Sequence, residues 1–387
     1  MNKRIYLDYA ATAPILPEVL EALHTHYMPD FANASTLYQE GKLARQTLEK
    51  AREELSALID CAPQELYFCS GGTEGAGTLI EGIARGSLEK QSAWRGKKHI
   101  LCAAFEHHAM LESVLSLKRY GFEIELLRPT RKGHILPETL KASLRPDTLL
   151  VTVMLAQNEI GTVQDIASLA ALAHDGGALF VSDCVQGFGK LPFSLADLDI
   201  DAACFSAHKL GGPFGIGAFF LRPSVPFLPR QLGGGQERGS RSGTQNVPAA
   251  LGFALAAQLQ TQVLKAGRDK HLALLRDKLC SELTQSSQRI RSTVPITSGN
   301  TQTHLSGYLH LLVQGIESQT MVLKLDELGF ALSGGSACSS NSLEPSHVLT
   351  AMGISKDDAY GALRISLGKD TTSEDCAQFC EALLSLL

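Results

Sequence analysis

A lysine, Lys209, stands in the stretch FSAHKLGGPFGIG, after His208 and before a run of glycines. It directly follows an apolar segment, DAACFS, where a hydrated ammonium is out of place. Most lysines are solvated surface groups; one at the end of a buried strand is desolvated, which lowers its pKa and suits it to condense with a carbonyl. An acid, Asp183, ends another apolar run, ALFVSD, three residues before Gln186. It either caps a helix or meets a positive partner. The segment ELYFCS runs into SGGTEG, where Ser70, Gly71, Gly72 and Thr73 turn toward a helix start. Free backbone N–H groups there, with the helix dipole, suit a phosphate, although a tight glycine turn reads the same way. HILCAA leads to His107 and His108, and TLLVTVML leads to Asn158. Far downstream, SGGSACSSNSLEP puts one thiol, Cys338, among small and polar residues that cannot bury it.

The elements that must position these residues alternate. Strands are expected at 65–70, 99–104, 122–127, 148–155, 178–183, 201–206 and 216–221, with helical patterns between several of them. In QTLEKAREELSALID, Leu48, Ala51, Leu55, Leu58 and Ile59 share one face. Near-continuous apolar strands alternating with helices argue for a buried, mostly parallel sheet covered by helices, an α/β fold. The expected sheet has seven strands. Ligands of open α/β sheets collect at the strand ends, and that is where these residues lie. After about Thr244 a long helical stretch runs to about Gln288, followed by an α+β tail. The expected division is a large domain of residues 14–258 and a small one of residues 1–13 and 259–387, the latter carrying Cys338. The first dozen residues form a short extended arm.

Taken together, the strand-end residues describe one ligand. A planar pyridine ring with an aldehyde and a phosphate needs a lysine for the aldehyde and a carboxylate to keep its nitrogen protonated. It also needs a phosphate cup and a flat group to stack on. Lys209, Asp183, the SGGT turn with Ser206 and His208, and His107 supply these parts in turn, which is the pyridoxal 5'-phosphate pattern.

With these residues in place, the chain resembles the cysteine desulfurases of the NifS/IscS type, in the class V group of fold-type I pyridoxal phosphate enzymes. The resemblance runs from YLDYAATAP to LRISLGKDTT. It is most specific in FSAHKLGGPFGIGA, GGGQERGSRSGT and SGGSACSSNSLEPSHVL. It implies that Lys209 links covalently to the cofactor and moves protons, and that Asp183 pairs with the ring nitrogen. Gln186 and Asn158 would bond the ring-oxygen region, and His107 would stack on the ring and act as acid or base. Gly72, Thr73, Ser206 and His208 would hold the phosphate. Thr244 would reach the phosphate of a neighbouring subunit, making a homodimer with shared sites. Arg364 would receive the substrate carboxylate by bidentate pairing, with a surface ion pair as the other reading. Asn158 and Asn33 would also contact substrate. Cys338 would take sulfur from L-cysteine as a persulfide, leaving alanine, and pass it to an acceptor protein or an iron–sulfur scaffold. A flexible loop lets one thiol both meet the substrate and leave with the sulfur. A thiol of pKa ~8.5 is only slightly ionised at neutral pH, so substrate or a cation must help deprotonate it.

The sequence departs from the family in several places. After TE it has Gly75, Ala76 and Gly77 where Ser-Asn-Asn is usual. Glycines at a helix start cost about 1 kcal/mol each against alanine. Gln157 replaces the first of two asparagines, Ala13 replaces a hydroxyl in the arm, and Tyr38 stands where a histidine is usual. None touches Lys209, Asp183, His107 or Cys338. The chain stops at Leu387, short of the tail that docks the scaffold in housekeeping members, so a different or more general acceptor is expected. Two other readings stay open: another class V activity (aminotransferase or selenocysteine lyase) and a weakly active binding subunit. Turnover without Cys338 would favour the aminotransferase.

Bulk properties narrow the setting. The 387 residues exceed one ordinary core, and 44% hydrophobic with 19% charged residues is typical of a globular protein. A net charge of −5 leaves no basic footprint for nucleic acid. No apolar run approaches the roughly 20 residues that cross a bilayer, and the N-terminus does not read as a signal peptide. A cytoplasmic enzyme is expected. The cysteines show no metal spacing, so no metal is expected; apart from Cys338, those at 61, 69, 102, 184, 204, 376 and 380 read as small buried hydrophobes.

Overall fold

The computed structural model describes residues 4–27, 32–192, 194–335 and 345–387; Cys338 lies outside the described residues. Twelve strands occur among them. They are β1 (Ile5–Tyr6), β2 (Leu66–Cys69), β3 (His99–Ala103), β4 (Glu123–Leu127), β5 (Thr148–Thr152) and β6 (Leu179–Asp183), then β7 (Ala202–Ser206), β8 (Gly217–Leu221), β9 (Ile290–Ser292), β10 (Tyr308–Val313), β11 (Phe330–Ala331) and β12 (Ala362–Ser366). Strands β2 to β8 form one seven-stranded sheet in the order β2-β8-β7-β6-β5-β3-β4. Within it, only β8 runs against its neighbours.

Every residue of β3, β5, β6, β7 and β8 is buried, which is why these segments read as unbroken apolar runs. The edge strand β4 instead exposes Glu123 and carries Glu125, charges that discourage further strand pairing. All seven expected strands are present, with β5 ending at Thr152 rather than at residue 155. The expected amphipathic helix runs Gln39–Ile59 and buries Leu48, Ala51, Leu55 and Ile59.

A second unit holds the three-stranded antiparallel sheet β12-β10-β9. Helices Arg268–Ser286 and Ser373–Ser385 pack together beside it, and Leu279, Leu283, Leu309, Leu363 and Phe379 share its core. A reciprocal Thr372–Asp375 capping box starts the last helix. The long helical stretch is two helices. Val247–Lys265 crosses residue 259 without a break, and Gly267, in the left-handed region at φ 81°, separates it from Arg268–Ser286.

Val247–Lys265 is long and apolar enough by length and composition to cross a membrane. Gln258, Gln260 and Gln262 interrupt it, so it is not an unbroken apolar run. It packs on helices Gln39–Ile59 and Pro17–Tyr27, and buries Ala250, Phe253, Ala254 and Ala257.

The arm joins both units. β1 pairs parallel with β11, Ser366 N donates to Leu7 O at 2.8 Å, and Ala13 N donates to His208 O at 3.0 Å.

Candidate active site

Strands β2, β3, β5, β6 and β7 are co-directional, so their C-terminal ends open on one side of the sheet. A cavity of about 220 Å³ lies there, lined by Gly72, Thr73, His107, Asn158, Asp183, Gln186, Ser206, His208, Lys209 and Arg364, among others. A second, more open one of about 380 Å³ adjoins it at Ser70, Gly71, Gly72, Thr73, Ser206 and His208.

Lys209 sits in the short 3₁₀ turn Ala207–Leu210 that follows β7, and Gly211 at φ 76° ends that turn. Its Nζ donates to Ala10 O at 2.8 Å and Ala11 O at 2.7 Å. The amine is therefore held by the arm.

Asp183, the last residue of β6, is 6% exposed, and its Oδ1 accepts from Val185 N at 2.8 Å. It does not cap a helix. Burial raises its pKa, and His107 opposes that rise. His107 caps helix His108–Ser116 by accepting from Ala109 N at Nδ1, 3.1 Å. With Nδ1 an acceptor, the ring proton resides on Nε2. Burial lowers the His107 pKa, countered by Asp183, so the imidazole is neutral. Beneath them Glu106 is fully buried, and burial together with the Asp183 charge raises its pKa far above the carboxylate range. Burial pushes both acids up, Glu106 much the further, so that Glu106 keeps its proton.

The phosphate-sized recess forms where β2 turns into helix Gly72–Ser87. Gly71 holds φ 156°, ψ −177°, a conformation reserved for glycine. Gly72 and Thr73 are the first helical residues, so their N–H groups lack intrahelical partners and carry the positive end of the dipole. A Cβ on Gly72 would meet Val185 Cγ2 at 2.8 Å, so this corner admits only glycine. Burial opposes ionisation of Glu74 in this turn, but Arg241, donating at 2.6 and 3.1 Å, holds its pKa below the usual range. His208 faces Thr12 Oγ1 at 3.2 Å, and burial, with Lys209 and Lys190, pushes its pKa down to about 4. It therefore offers a neutral N–H rather than a charge.

Arg364 on β12 reaches the cavity from the second unit and is 2% exposed. Its guanidinium donates to Asn158 O at 3.1 Å and Asp8 Oδ1 at 2.8 Å. Its Nε is buried without a hydrogen-bond partner among the described residues. A buried orphan donor facing a cavity is an anion receptor in waiting.

Two expected contacts lie elsewhere. Asn33 is exposed, lines neither cavity, and spends its amide oxygen on Ser35 N at 2.9 Å. Thr244 is exposed and lines neither cavity of its own chain. Gln157 braces the loop after β5, accepting from Glu159 N and Ile160 N at 2.6 and 3.0 Å and donating to Phe105 O at 3.2 Å. Gly75 and Gly77 are places of close approach, since a Cβ would meet Cys204 Cβ at 2.9 Å and Arg230 Nη1 at 2.7 Å respectively. Sequence reasoning missed Asp8, Glu106, Lys190 and Tyr308. The only signal for Glu106 was its place beside His107 after an apolar strand.

These residues fit pyridoxal 5'-phosphate. They give a lysine amine in the cavity lining, a buried carboxyl at a strand end, and a histidine fixed in one tautomer. The cup of helix-start N–H groups has no room for a Cβ.

Residues 5–379 match the family described as Aminotransferase class-V. The cysteine desulfurase IscS of Methanosarcina thermophila is 36% identical over 384 residues, covering 99% of this chain and 91% of that one. The protein of the same name from Anaeromyxobacter dehalogenans is 38% identical over 378 residues, covering 97% and 90%. Among solved structures, a NifS-like protein superposes with a TM-score of 0.90 at 33% identity, covering 99% of this chain and 100% of that one. The protein SspA, solved in complex with cysteine, gives 0.77 at 29% identity, covering 94% and 98%.

Proposed function

The chain belongs to the class-V aminotransferase family, and from that membership we propose that it is a pyridoxal 5'-phosphate-dependent cysteine desulfurase. It converts L-cysteine to L-alanine and leaves the sulfur on Cys338 as a persulfide. The observation that carries this reading is the cavity in which Lys209, Asp183, His107 and Arg364 meet beside a helix-start cup.

Bound cofactor supplies an electron sink for the charge left when the substrate loses its α-proton. The chain's own residues do the rest. Arg364 receives the substrate carboxylate through its buried guanidinium. Lys209 would anchor the cofactor and would move the substrate's α-proton at Nζ, with Ala10 O and Ala11 O to orient the amine. Asp183 would hold a proton on the cofactor's ring nitrogen, and the neutral His107 would stack on the ring and offer its Nε2–H for donation. Gly72, Thr73, Ser206 and His208 bind the phosphate. The thiolate of Cys338 attacks the substrate sulfur: the S–S bond forms, the C–S bond breaks, and its electron pair stays on the substrate β-carbon, which takes a proton to become the alanine methyl.

The acceptor is a thiol or a sulfur-accepting protein of iron–sulfur assembly, and the setting is cytoplasmic. The enzyme acts as a homodimer. Support comes from Phe214, 71% exposed at the mouth of the cup, and from Leu232, 79% exposed in the strand-to-loop segment that leads to Thr244. Thr244 then completes the phosphate site of the neighbouring subunit. The test is sulfide release from L-cysteine with a thiol reductant, for the parent and Cys338→Ala. Sulfide from the parent and at least a hundredfold less from the variant is expected. Equal turnover by both would refute desulfuration through this thiol.

A further inference from the structure

Beside the site, lining an adjoining cavity with Tyr308 and Lys209, stands a second lysine that the reaction does not use. Lys190 Nζ donates to Gln186 Oε1 at 2.5 Å and to Tyr308 OH at 2.9 Å. Tyr308 OH in turn donates to Gln186 Oε1 at 2.6 Å. On the other side, Gln186 Nε2 donates to Ala10 O at 2.9 Å. Three residues from β10, from the turn after β6 and from the arm thus converge on one amide.

The chemistry of these partners permits one orientation. A backbone carbonyl has no donor, and Tyr308, whose oxygen takes an N–H of Lys190, spends its own proton on Gln186. The Gln186 oxygen must therefore face Lys190 and Tyr308, and its nitrogen must face Ala10. Flipping the amide would set an oxygen against the Ala10 carbonyl and an N–H against the Tyr308 hydroxyl proton. One hydrogen on Nε2 is left, and Gln186 lines the cofactor cavity. Lys190 has no carboxylate in ion-pair range among the described residues. Burial, with Lys209 and Arg364 nearby, lowers its pKa strongly. An amine held in this way is kept where it serves a site.

We infer that Lys190 and Tyr308 are a positioning pair that locks Gln186 as a hydrogen-bond donor to the ring oxygen of the bound cofactor. A fixed donor, its carbonyl polarised by hydrogen bonds from Lys190 and Tyr308, stabilises that oxygen as an anion. The pair therefore lowers the pH at which the bound cofactor loses its proton. This rests on the cofactor placement proposed above.

The test is a pH titration of the visible absorbance of the holoenzyme, for the parent, Lys190→Met and Tyr308→Phe. Lys209→Ala serves as the control for placement. The expected result is a rise in the titration midpoint of about one pH unit in Lys190→Met, a tenfold shift in the proton equilibrium. A smaller rise in the same direction is expected in Tyr308→Phe, which keeps the ring volume and stays informative if the methionine variant does not fold. Midpoints unchanged in both, with the cofactor bound, would overturn the inference while leaving the site intact. A lowered melting temperature with an unmoved midpoint would likewise reduce the pair to a packing role. Normal visible absorbance in Lys209→Ala would instead overturn the site reading beneath it.

Discussion

Gly75 offers a sharp test of how the site is built. It lies on the first turn of helix Gly72–Ser87, and a Cβ there would stand 2.9 Å from Cys204 Cβ, 3.6 Å from Ala218 O and 3.6 Å from Cys69 Sγ. Cys204 is in β7, paired with Asp183, so the obstruction is a central strand and cannot step aside. Replacing a helical glycine by alanine gains about 1 kcal/mol of propensity. Forcing a methyl into a filled core costs roughly 1–3 kcal/mol. Gly75→Ala should therefore destabilise by about 1 kcal/mol net. Gly77→Ala is the internal control. Its Cβ would meet Arg230 Nη1 at 2.7 Å, but that is the far end of a side chain 50% exposed, free to swing at the expense of its ion pair with Glu81. An exposed pair is worth about 0–1 kcal/mol, so Gly77→Ala should be neutral or stabilising by up to about 1 kcal/mol.

The assay is urea unfolding of both variants as cofactor-free protein, followed by cofactor titration. The helix can relieve the Gly75→Ala overlap only by moving off β7 and β8, which carries Gly72 and Thr73 with it. Cofactor affinity should then fall several-fold in Gly75→Ala and stay at the parent value in Gly77→Ala. If Gly75→Ala is as stable as Gly77→Ala, the close helix–sheet approach does not govern this turn and the reasoning fails.

Two further outcomes are expected. Arg364→Lys loses the planar fork and its charge-assisted bonds, worth roughly 1.5–3 kcal/mol, so kcat/KM for L-cysteine should drop about tenfold to a hundredfold; an unchanged value would place the carboxylate elsewhere. The His174 pKa is raised above the ordinary 6.5 by the hydrogen bond to Asp201, 2.8 Å. A raised folded pKa gives stability that is fully present below 6.5 and is lost as pH rises through the folded value. The urea midpoint of His174→Gln should thus fall below the parent's in acid and approach it in alkali; a constant gap between the two would remove the titration from the explanation.

The large sheet was legible because its central strands are buried on both faces and read as unbroken apolar runs. Co-directional strands put their ends together, so Lys209, Asp183, Gln186, His107 and Asn158 could be grouped from their places in the chain alone. What the sequence hid was long-range. Asp8 was readable only as a charge in an extended arm, yet it grips Arg364, 356 residues away. Tyr308 sits in an apolar run, YLHLLV, whose pattern asks only for burial. Lys190 follows a turn and looks solvated. Gly75 and Gly77 read as lost side chains, whereas their neighbours show a helix pressed against a strand and an arginine. Propensity cannot see a tertiary neighbour, and glycine is where that blindness is greatest.

The arm resolves how two units can share one site. Its strand, β1, makes only two pairings, with Phe330 and Ala331, and a ladder that short is marginal by itself. Yet the next few residues touch three site groups from both units. Asp8 bonds Arg364 and accepts from Ser333 Oγ at 2.5 Å, Ala10 O takes Gln186 and Lys209, and Ala11 O takes Lys209 again. Arg364 comes from β12, whereas Gln186 and Lys209 come from the large sheet. The distance between carboxylate receptor and amine is thus set through Asp8–Ala11, a rigid few residues, rather than through the long helix Val247–Lys265. Site contacts hold the arm as much as the arm holds the site. That reciprocity accounts for a backbone carbonyl, rather than a replaceable side chain, facing both Gln186 and Lys209 at Ala10: any residue type there presents the same acceptor.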